Sequence, residues 1–210
     1  MTLAAFVVLV LTGVLGALLL RRSETDRLPR GREIVPRPRP VPWGAAALVL
    51  LLAGAAALAW AGGAAGSWLR SAVVVAAVVA AALGGGPVVT TVLHAADPTR
   101  AVSTLSGRPV VDPPDPPDLP AGSRRPPMAG IADPDVLRGG SWIGVLERVA
   151  LVASLLAGWP EGVPVVLAVK GLGRFAELKE TPAAERFIIG TLASALWAAA
   201  CAGVAVLARS

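Results

Sequence analysis

Long uncharged blocks alternate with short polar segments along this chain. Thr2 to Leu20 carries no charge over 19 residues. At about 1.5 Å per residue it reaches roughly 28 Å, enough for the hydrocarbon layer of a bilayer. No Lys or Arg precedes the block, and Arg21-Arg22 follow it. A cleaved signal peptide has a basic start and a shorter apolar stretch, so the block reads as a permanent first helix with its N-terminus outside.

Arg21 to Pro42 holds seven Arg and five Pro. PRPRPVP, residues 36–42, cannot be helix interior, because proline removes amide donors and fixes φ. It reads as an extended linker. Trp43 opens a second apolar block that ends near Trp60, with the Ala/Gly stretch to Gly66 as its loose end. Ser71 to about Ala95 is a third, interrupted by Gly84-Gly85-Gly86-Pro87. That run predicts a kink or a break. Neighbouring helices can absorb a kink, whereas a break would give a discontinuous helix lining a binding site.

Asp97 to Arg138 is polar, with ten Pro, six Asp and five Arg, and it lacks periodicity. It is expected to be an extended or disordered loop. A fourth block runs from Ser141 to Gly158. Trp43 and Trp60, like Trp142 and Trp159, stand 17 residues apart. That is roughly 25 Å along a helix, near the separation of the two interfacial belts that Trp prefers. Trp159-Pro160-Glu161-Gly162 reads as a tight turn, and Val163 to Phe175 as a short fifth block. Thr181-Pro182 has the chemistry of a helix start. The apolar part of that last helix is Phe187 to Leu207.

The fold class is therefore all-α: a polytopic transmembrane helix bundle of about six spans, the fifth short, with Pro/Arg-rich cytoplasmic loops. Residues 1–94 form an N-terminal three-span region, 95–138 the Pro-rich loop, and 139–210 a C-terminal three-helix membrane module. Charge bias supports that count. With the N-terminus outside, the loops 21–42, 95–140 and 171–186 hold seven, five and three Lys/Arg, and the outer loops only Arg70. Fifteen against one is the distribution that the positive-inside rule requires. A re-entrant fifth segment would flip the last helix and place the positives of 171–186 outside.

Composition agrees. Of 210 residues, 55% are hydrophobic and 16% charged, against about 25% charged in a soluble domain. Mean hydropathy is +0.68. The basic residues sit between apolar blocks rather than on one face, which argues against a nucleic-acid partner. A lone cysteine, Cys201, excludes an internal disulfide and a cysteine metal cluster, and the lone His94 excludes a multi-histidine site. Abundant Ala, Gly, Arg and Pro without Tyr suggest a bacterial source, so the expected location is a bacterial plasma membrane.

The informative charges lie between Gly139 and Gly203. Glu147, Arg148, Lys170 and Arg174 fall within apolar helices, where charges are costly unless they face protein, water or each other. Glu147 lies 11 residues before Gly158 and Arg174 lies 11 after Val163. In an antiparallel hairpin they share a depth roughly 16 Å from the turn, so Glu147 is expected to pair with Arg174, with Lys170 one turn away. Lys170, Gly173, Arg174 and Glu177 share a face by spacing. Arg148 can reach Glu177 or the start of the last helix near Glu185. Glu147, Arg148, Lys170, Arg174, Glu177 and Glu185 thus form a candidate polar pocket. One reading is a structural staple, with outlying charges reaching the interface. The other is a cytoplasm-facing cavity for a proton or an anion, such as an anionic lipid or phosphate headgroup. Gly190, Ser194, Ala198 and Ala202 recur every four residues and offer a smooth face for close helix approach, as do Gly140 and Gly144. Trp197, mid-span, reads as core filler.

The words WIGVLERV, AVKGLGRFAELKE and AERFIIGTLAS resemble a C-terminal membrane module of uncharacterised bacterial integral membrane proteins. The likeness covers about 65 of the 210 residues. It implies a label and a topology, and carries over Gly144, Glu147, Arg148, Lys170, Arg174, Phe175, Glu177, Glu185, Gly190 and Thr191, without a mechanism.

Function narrows to three classes. The expectation is a non-enzymatic accessory or assembly subunit whose cytoplasmic loops contact a protein partner. The first alternative is a small transporter or channel component using the charged pocket. The second is an enzyme on a lipid-linked phosphate. Against it, the sequence has no GxSxG, HExxH or phosphate loop, and DPPDPPD splays its carboxylates. No cofactor is implied.

Overall fold

The computed structural model describes residues 2–25, 42–62, 66–96, 134–175 and 181–209. The Arg/Pro linker, most of the Pro-rich loop, and Glu177 lie outside the described residues. Among the described residues there are six helices: α1 (Thr2–Thr25), α2 (Pro42–Trp60), α3 (Ser67–Ala95), α4 (Pro134–Leu156), α5 (Gly162–Gly173) and α6 (Thr181–Leu207). Among the described residues no strand occurs. Among the described residues four helices are long and apolar enough to cross a membrane: α1, α2, α3 and α6. Several boundaries differ from the sequence reading, and two helix starts differ most. Helix α3 begins four residues earlier than Ser71, and α4 begins at Pro134, inside the segment assigned to the loop. Proline suits a first helical turn, where its missing N–H is not needed.

Helix α3 is the centre of the bundle, with α1, α2, α4 and α6 packed on it. Its composition explains why. Ala76, Ala77, Ala80, Ala81, Gly84 and Gly85 face inward, while Val75 and Val79 face outward. In lipid no hydrophobic force separates helix from helix, so close backbone approach and buried hydrogen bonds decide association. Small residues inside and large ones outside are that rule applied. Helix α2 buries one stripe of mixed size, Ala45, Leu48, Leu52, Ala55 and Ala59, and exposes Leu50 on the other side.

The glycine run does not break α3, which continues as a helix through Pro87 to Ala95. Its neighbours pack closely on it along the glycine run. A methyl group at Gly84 would stand 2.6 Å from the Trp197 ring of α6, and 2.8 Å separates a methyl at Gly16 of α1 from the Gly84 backbone. A methyl at Gly86 would meet Leu20 of α1 at 2.9 Å. The run is a docking strip. The Trp197 Nε1–H donates to the Ala80 carbonyl at 3.3 Å, so that tryptophan is a buried cross-helix hydrogen-bond donor as well as filler. Just beyond the proline, the Thr90 and Thr91 hydroxyls both donate to the Pro87 carbonyl.

Contacts fix the helix directions. The Gly62 end of α2 meets Thr2, and its Gly44 end meets Leu19, so α1 and α2 are antiparallel. Gly13 beside Ala80 and Gly16 beside Gly84 make α1 and α3 parallel. Trp197 beside Ala80 and Gly190 beside Val89 and Leu93 run α6 against α3. The Arg209 guanidinium donates to the Leu156 carbonyl at 3.4 Å, so α4 and α6 end together and are parallel. Between them α5 must therefore return the chain. A re-entrant α5 that handed α6 the opposite direction is not what the contacts show.

The five tryptophans other than Trp197 are exposed, and Trp43, Trp60, Trp68 and Trp159 stand at or near helix ends, as interfacial anchors do. Gly84→Val should overpack the Trp197 contact and cost about 1–3 kcal/mol. Gly54→Val, where nothing lies within 4 Å, should leave stability unchanged. Denaturant titration of both variants in mixed micelles reads the difference.

Candidate functional site

Helix α4 ends in a glycine-capped turn that builds the hairpin. The Trp159 N–H donates to the Ser154 carbonyl at 2.9 Å and the Gly158 N–H to the Leu155 carbonyl at 3.2 Å. Gly158 takes φ +73°, the left-handed geometry that glycine adopts without strain. The chain then turns through Pro160 and Glu161 into α5, which packs mainly on α4.

This hairpin places Lys170 on Glu147. The Lys170 ammonium forms an ion pair and hydrogen bond with Glu147 Oε2. Lysine and glutamate side chains are 20% and 12% exposed, so little solvent screens them. The sequence expectation of a Glu147–Arg174 pair is corrected. Helix α5 ends at Gly173, and Arg174 is the first residue past it, in a turn and exposed. Depth is set by distance from the two helix ends, not from the turn's flanking residues. Glu147 lies nine residues before Leu156, and Lys170 eight after Gly162. Lys170 Nζ also stands 5.9 Å from the Phe187 ring centre of α6, within cation–π range. It therefore touches both flanking helices.

Arg148 takes a different direction. Consecutive helical residues point about 100° apart, so Glu147 faces α5 while Arg148 enters the bundle. The Arg148 side chain is 5% exposed. Its Nη2 donates to the Ala82 carbonyl of α3 at 2.9 Å. A methyl at Gly85 would lie 2.6 Å from Arg148 Nε, and one at Gly144 3.4 Å from Nη1. Glycine at 85 is thus the space that the guanidinium occupies. The expected reach toward Glu177 or the α6 start is corrected: Arg148 is directed to the α3 backbone. Glu185 is exposed near the start of α6.

Of the six expected pocket residues, the structure brings Glu147 and Lys170 together, buries Arg148 against α3, and leaves Arg174 and Glu185 exposed. Among the described residues, buried polar atoms without a protein partner are Glu147 Oε1, Arg148 Nε, Thr191 Oγ1 and Ser194 Oγ. Ser194, Ala198 and Ala202 are buried, as the four-residue repeat on α6 predicts. Sequence reasoning missed the Ala82 carbonyl, Gly85 and Phe187 as partners. The glycine run beside a bulky buried cation was the signal for the first two. Among the described residues no three His, Cys, Asp or Glu group as a metal site.

Breaking one member of the buried pair should strand the other. Lys170→Met should cost about 3–5 kcal/mol, and the double variant Glu147→Gln with Lys170→Met should recover much of it. A double-mutant cycle on unfolding in micelles measures the coupling. Additive single effects would mean that the pair does not interact.

Comparison with protein-family models, with curated proteins and with solved structures finds no match to this chain.

Proposed function

We propose that this protein is a non-enzymatic subunit of a bacterial plasma membrane, multi-pass with its N-terminus outside, that assembles with another membrane protein through the α4–α5 hairpin. The observation that carries the reading is the length of α5. Twelve residues make about 18 Å, well short of the ~30 Å hydrocarbon layer. Val165, Val169 and Leu172 are exposed on it. Exposed apolar side chains alone are ordinary in lipid. A short helix at the edge of a bundle is different, because hydrophobic mismatch is relieved by association with another protein. The charges of the hairpin support the same reading. Lys170 with Glu147, and Arg148 with Ala82, tie helices together. The cytoplasmic loops, with their Arg and Pro, supply further contact surface.

A second reading has one observation of its own. Glu147 Oε1 is buried without a protein partner, so the acid could hold a proton or a small cation for transport. The two readings separate by experiment. Purification in a gentle detergent should retain a membrane partner at fixed ratio, and Val169→Ala with Leu172→Ala should release it. A chain that purifies alone in every gentle detergent would sink the assembly reading. Flux in proteoliposomes that Glu147→Gln abolishes would establish the transport reading instead.

A further inference from the structure

Helices α1 and α3 leave an apolar groove of about 540 Å³ along their seam, but the unsatisfied polar chemistry lies at another seam, between α4 and α6. Glu147 Oε1 and Arg148 Nε on α4, and Thr191 Oγ1 and Ser194 Oγ on α6, are buried without a protein partner. Arg148 and Ser194 are each only 5% exposed. Apolar neighbours cannot offset the cost of taking such atoms out of water.

Two contacts fix the ends of this seam. At one end the Phe187 ring centre stands 5.9 Å from Lys170 Nζ, which pairs with Glu147. At the other, Trp197 lies on Gly84, and the Arg148 side chain crosses Gly85, the next residue. Phe187, Thr191, Ser194 and Trp197 follow one another in steps of four, three and three residues, so they keep to one side of α6. The two hydroxyls therefore stand between those ends, within about 15 Å of helix. Because α6 runs against α3, Ser194 lies one turn from Trp197 toward Gly85, beside the guanidinium. Gly144 leaves room at this level: a methyl there would meet three Arg148 atoms, at 3.4 to 3.9 Å, before any atom of α6.

The four atoms differ in the bonds they can make. Arg148 Nε–H only donates, the Glu147 carboxylate oxygen only accepts, and each hydroxyl does both. An anion would suit the first and be repelled by the second. A metal ion would meet the reverse. Water both donates and accepts, and a buried molecule of it makes about three hydrogen bonds. We propose that the α4–α6 seam binds ordered water that bridges Arg148 Nε to Glu147 Oε1 by way of Ser194 and Thr191. The water joins the two charged ties of α4 into one network. The site rests on neither functional reading above.

X-ray radiolysis of the full chain in micelles, in water enriched in heavy oxygen, tests the proposal, because radicals formed from bound water label the side chains beside it. Trp197 is 4% exposed, so label there reports internal water, and the exposed Trp159 serves as control. The wild type should take up heavy oxygen at Trp197. Thr191→Val combined with Ser194→Ala should lose that label and keep the label on Trp159, whereas Thr191→Ser, which retains a hydroxyl, should keep both. Should the double variant unfold, Thr191→Val alone carries the comparison. The unfolding midpoint gives a second, signed readout. A buried hydroxyl bound to nothing is a penalty, so its removal in Thr191→Val would raise the midpoint; a hydroxyl bound to water predicts a lower one. An unlabelled Trp197 in the wild type, or a raised midpoint in Thr191→Val, would overturn the proposal. So would added sodium bromide that raises the wild-type midpoint and removes the Trp197 label, because an anion would then fill the seam.

Discussion

A bilayer gives helices no reason to meet beyond how closely their backbones can approach. Everything in this fold follows from where that approach is closest: the stretch of α3 from Ala80 to Gly86. There the indole of Trp197 and the guanidinium of Arg148 lie against backbone that carries no side chain. Each also donates a hydrogen bond to an α3 carbonyl. Dispersion contacts and polar bonds act at the same points, and lipid could not supply the polar bonds. Larger residues at 84 and 85 would push both α4 and α6 away from the centre.

The charged residues fall into two groups once this centre is recognised. Arg148 is a tie to the central helix, and the Glu147–Lys170 pair is a tie within the hairpin. Because 147 and 148 are neighbours, one turn of α4 serves both. Lys170 adds a third helix through Phe187. The C-terminal half of the chain is therefore joined by polar contacts, while α1, α2 and α3 are joined by apolar packing of Ala, Gly, Val and Leu. The apolar half is where an open groove survives, and the polar half is where buried atoms remain without protein partners.

Much of this was legible in the sequence. Four of the long helices announce themselves by uninterrupted apolar length, and the tryptophans by their spacing. The repeat Gly190, Ser194, Ala198, Ala202 marks the inner face of α6 correctly. Partner choice was less legible. Counting from the turn gave Arg174 the depth that Lys170 has, because the point where α5 ends depends on its last turn and not on hydropathy. The Gly84–Pro87 run reads as a weakness in isolation and becomes a docking strip only when the side chains that fill it come from residues 148 and 197. Facing cannot be read from apolar periodicity where every position is apolar. Along the Ala76–Gly85 stretch of α3 it is instead carried by residue size, small inward and large outward.

The parallel course of α4 and α6 has a consequence for how the protein enters the membrane. A segment of twelve residues bearing a lysine is a poor candidate for insertion alone, since a charge at the middle of the bilayer is opposed by about 2.5–3.5 kcal/mol even on the mildest scales. The glutamate that neutralises it leaves the ribosome first, on the preceding helix. Integration of the C-terminal half is thus expected to proceed as a pair, with α4 held near the translocation machinery until α5 folds back on it. Only then does α6 acquire the direction that the finished bundle requires.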